Sequence, residues 1–467
     1  MTLAQRLALL KGDKAARGGE GQKSVPQPQV GSPSNGGAGG AVNAPTGLNG
    51  LNAARAPHEP AGPVSPISPI PSMPLNVRLQ RLGSLGGSGN SRNPATRAKR
   101  MDAEVAARLR GEVAAPGVIQ VSQTIPLASR HGKVAFSALA GVSLGVLGLP
   151  HQAAEPPLDG LLFLDTETTG LAGGTGTLPF MVCLARIQGD RLQLAQWILT
   201  GFAGEGALLE IVSGWIEPAS RLVSYNGKSF DVPLLATRYR LARRTDPFTD
   251  KGHIDLLHLT RRACGQGWED CRLQTAEQRL LGFIRENDFP SYLIPQAWGD
   301  FVRGGGTESL CAIAEHNRLD VLSLAALLAM LARIYAEPGH EAADAFRIAQ
   351  VHARRGHPQH AIEHLSSASR RSVLDEAGLL FLARLHRLQR QEEKALAIWH
   401  QLRENSCIAG IEALAKYHEH VTRELEAALE LADELSRLEP ENQLHNKRQG
   451  RLRRRLEKLQ VKNSPLS

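Results

Sequence analysis

The chain is poor in cysteine, with five in 467 residues (Cys183, Cys264, Cys271, Cys311 and Cys407), an odd number without paired spacing. That argues against a disulfide framework and predicts a reducing compartment, with the cytoplasm as the default. Six residues separate Cys264 from Cys271, whereas zinc motifs place about two to four between ligands, so no zinc site is expected there. Long apolar runs are also missing. None reaches the ~18 residues a membrane-spanning helix needs, and no membrane association is expected. Residues 1–10 are broken by Gln5-Arg6 and lack the apolar region and small-residue cleavage site of a signal peptide. Positive charge is scarce in the middle of the chain. Residues 116–445 hold 32 Lys/Arg against 39 Asp/Glu, so the net charge of +8 resides in the two ends.

Composition divides the chain. Residues 1–115 are crowded with Gly, Pro, Ser and Asn and carry 14 basic against 6 acidic residues; they read as a disordered basic segment with too little apolar surface to offset ordering entropy. Within it, residues 101–110 have the pattern of a short helix. Residues 446–467 hold eight basic residues and one acid, a run suited either to phosphates or to a solvated helix end.

Between these ends, Leu161-Leu162-Phe163-Leu164 reads as a strand covered on both faces, and it runs directly into Asp165-Thr166-Glu167. A strand points residues i and i+2 the same way, so Asp165 and Glu167 share a face. Neighbouring carboxylates repel, and hard divalent ions with oxygen ligands relieve that repulsion. The plain alternative is a strand end whose acids face water. The following glycine-rich stretch, residues 170–177, lacks the Gly-Lys-Ser/Thr ending of a phosphate loop and is read as a connection between antiparallel strands. Strands over 180–187 and 192–199 around the turn Gln188-Gly189-Asp190-Arg191, a helix over 205–216 and a strand over 221–225 give the order βββαβ. Short strands or turns are expected over 117–121 and 133–136.

Asp231 precedes a helix running to about residue 242, with Pro233 two residues on, and taken alone reads as an N-cap; Asp255 reads the same way. Helices follow over 272–282, within 288–301 and over 307–335. In the last, His316 and Asp320 are one turn apart and face one site.

Asp165 and Glu167, then Asp231, then Asp320 preceded by His316 form an ordered set that resembles the DEDD exonucleases of the ribonuclease-H-like superfamily. The YprB-like branch is similar in more detail, through Phe163-Leu164-Asp165-Thr166-Glu167-Thr168-Thr169-Gly170-Leu171 with its Gly-Gly-Thr-Gly-Thr loop, Asn226-Gly227-Lys228-Ser229-Phe230-Asp231, and His316-Asn317-Arg318-Leu319-Asp320-Val321. The likeness covers about residues 116–336. It implies an α/β fold, a ribonuclease-H-like mixed sheet with flanking helices, and a metal-dependent 3′→5′ exonuclease acting on DNA or RNA with two Mg²⁺ or Mn²⁺ ions. Asp165 would bridge the ions, Glu167, Asp231 and Asp320 would complete their shells, and His316 would orient or deprotonate water. Asn226 and Lys228 would touch the terminal nucleotide, against the plainer identities of a turn residue and a solvated lysine. One departure stands out: His316 occupies the spacing at which these enzymes carry Tyr, three intervening residues before the last Asp, rather than the four used with His.

Residues 340–445 read as wholly helical and repetitive. Ala349 and Ala361 are 12 apart, Ala383 and Ala395 repeat them 34 residues later, and Ala415 and Ala428 mark a looser third unit. This period resembles tetratricopeptide repeats, which implies a concave surface for a protein partner; the alternative is a generic helical bundle. The competing class of function is a non-catalytic nucleic-acid-binding adaptor whose repeats hold that partner.

Overall fold

The structure is a computed structural model that describes residues 94–147, 157–170, 176–265 and 267–463. The expected disorder of residues 1–93 and the glycine-rich residues 171–175 lie outside the described residues. Residues 94–115, assigned by composition to the disordered head, form α1 (Pro94–Leu109), which contains most of the short helix expected over 101–110 and starts earlier, and strand β1 (Glu112–Ala115). The reason is a polar anchor that composition does not show: buried Asp102 accepts from Gly117 N at 2.9 Å and from Thr200 Oγ1 at 2.5 Å.

Strand β2 (Val118–Pro126) continues the chain, and β3 (Arg130–His131) pairs with β4 (Val134–Ala135) as a small ribbon. Next come β5 (Leu161–Thr168), β6 (Pro179–Gln188), β7 (Arg191–Leu199), α2 (Glu205–Ile216) and β8 (Arg221–Ser224), which is the expected βββαβ. Helix α3 (Asp231–Leu241), strand β9 (Gly252–Asp255) and helix α4 (Leu256–Ala263) complete the sheet region. The seven-stranded sheet has the order β1-β2-β7-β6-β5-β8-β9. β5 is antiparallel to β6 and parallel to β8, so it stands where the sheet changes from antiparallel to parallel. Ligands of open mixed sheets gather beyond the carboxyl ends of parallel strands at such a place.

Side-chain alternation along β5 explains its burial. Leu161 and Phe163 join one core with Val321, Leu324 and Leu328 of a long helix, while Leu162 and Leu164 join a second core with Leu208, Val212 and Leu235. Helices therefore cover both faces, and fully burying each such side chain is worth about 1.5–3 kcal/mol.

Residues 272–282 form a shorter helix than the pattern suggests: α5 (Leu273–Ala276) passes into a wider π turn over Glu277–Leu281. Helix α6 (Ile294–Val302) and the long α7 (Glu308–Ala336) follow. α7 corrects the expectation about apolar runs. Its length and hydropathy suffice to cross a membrane, because Asp320 and Arg333 interrupt the run without breaking the helix; 83% of its most apolar window is buried in the fold.

Seven helices complete the described chain: α8 (Ala345–Arg354), α9 (Pro358–Arg370), α10 (Glu376–Leu388), α11 (Glu392–Glu404), α12 (Ile408–Tyr417), α13 (Leu425–Leu438) and α14 (Gln443–Asn463). Each packs on the next in sequence, and Ala349, Ala361, Ala383, Ala395, Ala415 and Ala428 are all fully buried. The array is joined to α7 by two histidines: His352 Nε2 and His364 Nε2 each lie 3.0 Å from the Tyr335 carbonyl, one of the orphan acceptors at the end of that helix.

Candidate metal centre and active site

Asp165 and Glu167 project from the end of β5 toward α7. Asn317 Nδ2 donates to Asp165 Oδ2 at 2.6 Å. Gln196 on β7 donates to Asn317 Oδ1 at 3.2 Å and to the Ala314 carbonyl at 2.8 Å, which fixes the way the Asn317 amide faces. Burial, followed by repulsion from Asp320, Asp231 and Glu167, pushes the Asp165 carboxyl well above the usual carboxylate range, against the Asn317 bond. Burial and then Asp320 and Asp231 do the same to Glu167.

The N-cap reading of Asp231 is corrected. Phe230 holds the N-cap position and no side chain caps the helix; the buried Asp231 carboxylate accepts from Thr166 Oγ1 on β5 at 2.5 Å instead. Burial raises its pKa to about 6, with the Thr166 bond opposing. Asp255 does act as a cap: its side chain accepts from Leu257 N at 3.1 Å, and also from Asn226 N at 2.8 Å and Lys228 N at 3.2 Å, so it ties down the loop before Asp231. Gly227 in that loop has no room for a Cβ, which would lie 2.4 Å from Ser224 Oγ and 3.2 Å from Asp231 Oδ2.

His316 is buried on α7 with its two ring nitrogens in different surroundings. Nδ1 lies 2.7 Å from Asp288 Oδ1, and a carboxylate can only accept, so that nitrogen carries the proton. Nε2 faces the acids, 3.5 Å from Asp320 Oδ2 and 3.7 Å from Glu167 Oε1. Arg285, 4% exposed, donates to Asp320 Oδ1 and to Glu277 Oε1 at 2.6 Å, and reaches Asp288 Oδ2 at 3.5 Å. Burial works against its charge, but the surrounding acids, Asp320 foremost, outweigh burial and hold the guanidinium protonated.

A cavity of about 520 Å³ opens over this centre, lined on one side by Asp165, His316 and Asp320 and on the other by Asn226, Arg261 and Arg272. Of the residues singled out in the sequence, ligand atoms of Glu167, His316 and Asp320 come within 4.8 Å of one another. Asp231 is close enough to raise the pKa of Asp165 and Glu167, and Asp165 is raised by Asp320 and Glu167 as well. Asn226 lines the cavity in the left-handed conformation of a turn residue, with φ 66°, whereas Lys228 is exposed and does not line it. The donor set fits a divalent cation: several acids crowded by burial and mutual repulsion, with one imidazole beside them, need positive charge to ionise together.

Residues 162–332 match the RNase_H superfamily. The protein YprB of Bacillus subtilis (strain 168) is 33% identical over 322 residues, which is 66% of this chain and 78% of that protein. The chain belongs to the YprB-like branch of the RNase_H superfamily. A family B DNA polymerase from the hyperthermophilic archaeon Pyrobaculum calidifontis overlaps 60% of this chain and 39% of its own length, at 13% identity and a TM-score of 0.31.

Within this YprB-like chain, Asn317, Gln196, Arg285, Asp288 and Glu277 escaped the sequence reading. Asn317 did lie inside the motif His316-Asn317-Arg318-Leu319-Asp320. The others had no local signal, because Arg285 meets Asp320, and Asp288 meets His316, only through folding across about thirty intervening positions.

Proposed function

We propose that this protein is a metal-dependent 3′→5′ exonuclease that hydrolyses phosphodiester bonds of DNA or RNA. The observation that carries the reading is the meeting of Glu167, His316 and Asp320 within 4.8 Å, with His316 and Asp320 lining the cavity. Asp165 and Asp231 stand beside them with raised carboxyl pKa values. Asp165, Glu167, Asp231 and Asp320 would hold two Mg²⁺ or Mn²⁺ ions. When bound, such ions supply Lewis acidity toward water and the phosphoryl oxygens.

The chain's own residues do the rest. Asp288 would hold His316 through Nδ1 and leave Nε2 turned toward the acids, where it would take a proton from the attacking water. Asn317 fixes the Asp165 carboxylate, and Arg285 fixes that of Asp320. Asn226 sits at the cavity wall where a terminal nucleotide would rest, and Lys228, exposed in the same loop, would be a second contact for it.

The helical array supports a wider arrangement: a nuclease domain over 116–336 followed by tetratricopeptide-like repeats over 340–445 that take a protein partner in the cytoplasm. The test of the nuclease reading is degradation of end-labelled single-stranded and duplex DNA and RNA with Mg²⁺ or Mn²⁺. Stepwise shortening from the 3′ end that disappears in Asp165→Asn is expected. No cleavage of any substrate, or an unimpaired Asp165→Asn protein, would refute it. One observation favours the adaptor as a second reading: Arg285 already neutralises Asp320 without a metal. Nucleic-acid binding with no cleavage under any metal would select that reading.

A further inference from the structure

The cations of α14 fall into two groups that the sequence does not separate. Its apolar side, Leu452 and Leu456, packs with Leu425, Ala428 and Ala432 of α13. Arg448, Arg451 and Arg455 converge on Glu419, which is 2% exposed, with Arg451 Nη2 at 2.7 and 2.8 Å from its two oxygens. Arg453 pairs with Asp433 at 3.0 Å. These contacts anchor the helix. Lys447, Arg454 and Lys458 are exposed and make no ion pair with any described residue, and neither does Glu457, the one acid of the helix.

At 3.6 residues per turn, Lys447, Arg451, Arg454 and Lys458 lie on one face, in a line of about 16 Å. Like charges three and four apart destabilise a helix, and apart from Arg451, which Glu419 neutralises, the line carries repulsion that an anion would relieve. A depression of about 590 Å³ follows the same face, lined by Gln443, Asn446, Lys447, Gly450, Arg451 and Arg454. Gly450 leaves bare backbone in it, although nothing lies within 4 Å of where its Cβ would be and glycine is a poor helix former.

The geometry points to this face of α14 as a docking site for the phosphate backbone of nucleic acid, separate from the cleavage cavity. A duplex carries one phosphate per about 3.4 Å along each strand, so the line spans about four or five phosphates. The choice of nucleic acid over another polyanion rests on the nuclease reading of the same chain. Amide side chains from Gln443 and Asn446 add donors suited to phosphate oxygens.

The test is fluorescence anisotropy of labelled single-stranded and duplex DNA with the full chain in EDTA, from 50 to 200 mM salt. Binding in EDTA is read apart from cleavage, so failure of docking and failure of the nuclease reading are distinguishable. Replacing three phosphate contacts should flatten the plot of log affinity against log salt by about 2 on single strands and about 3 on duplex. Lys447→Gln/Arg454→Gln/Lys458→Gln is therefore expected to weaken binding at 50 mM salt by at least tenfold and lose that slope. Arg333→Gln/Lys394→Gln/Lys416→Gln, with the same change in net charge on other helices, should keep the wild-type slope. An unchanged slope in the α14 variant, or an equal loss in both variants, would overturn the proposal. So would displacement of the labelled strand by polyglutamate or phosphatidylserine vesicles more readily than by unlabelled DNA.

Discussion

Arg285 and Glu419 are each a buried charge encircled by the opposite sign, and the surroundings of the two differ in one respect. Around Arg285 the partners Glu277, Asp288 and Asp320 are themselves buried, with side chains 1%, 14% and 12% exposed. Around Glu419 the partners Arg451 and Arg455 are about half exposed, and only Arg448, 13% exposed, is shielded. The first cluster keeps its surplus charge away from water, and the nearby Asp165, Glu167 and Asp231 show it by their raised pKa values. The second spends its surplus in solvent. Buried surplus charge demands a proton or a cation, whereas exposed surplus charge only attracts counter-ions.

Removing the central charge is the sharpest way to break this comparison. Arg285→Ala strands Glu277 and Asp320 inside the fold and is expected to cost about 3–5 kcal/mol in chemical denaturation. A loss below about 1 kcal/mol would mean that water already reaches the site. The second effect is metal linkage. At about a hundred times its dissociation constant, Mn²⁺ should stabilise the wild-type protein by about 2.7 kcal/mol, measured as a rise in Tm, and Asp165→Asn should lose most of that rise.

A smaller effect follows from the histidines. Burial first of all lowers His131 and His364 from 6.5 to about 4. Between those values the unfolded chain binds more protons than the folded one, so their contribution to stability is whole above pH 6.5 and is lost as the pH falls toward 4. A loss of about 1–2 kcal/mol per histidine is expected, and His364→Gln should flatten the fall in a series of denaturation curves across that range. Asp231 works in the opposite sense. Its raised pKa makes the metal-free protein lose stability as the pH rises from 3.8 to about 6; Asp165 and Glu167 are raised as well, so Asp231→Asn should shrink that loss without abolishing it. The smallest effect belongs to the cluster around Glu419: Glu419→Ala leaves Arg451 and Arg455 to water and Arg448 beside Glu412 at 3.5 Å, and about 1 kcal/mol is expected. A cost equal to that of Arg285→Ala would erase the distinction.

Much of the fold was legible because its signals are local. The unbroken apolar run of β5, the Gln188-Gly189-Asp190-Arg191 turn and the one-turn spacing of His316 and Asp320 each specify their own geometry. Asp231 was misread in isolation, since Asp before a helix is a common cap, and only the approach of Thr166 turns its carboxylate inward. Arg285 and Glu277 were invisible for a physical reason: a buried ion pair joins residues that composition marks as surface. The edge of the sheet was lost for a similar reason, because Asp102 anchors a helix whose flanking sequence looks disordered.

On the proposed reading, the acids of β5, α3 and α7 form a site that works only with a divalent cation. Mn²⁺ added to the full chain with 3′-end-protected and unprotected labelled strands tests it most directly. Shortening of unprotected strands by the wild-type protein is predicted, with Asp165→Asn slower by at least about 10²–10³-fold while its far-ultraviolet circular dichroism stays unchanged. Equal cleavage by a correctly folded Asp165→Asn protein would contradict it.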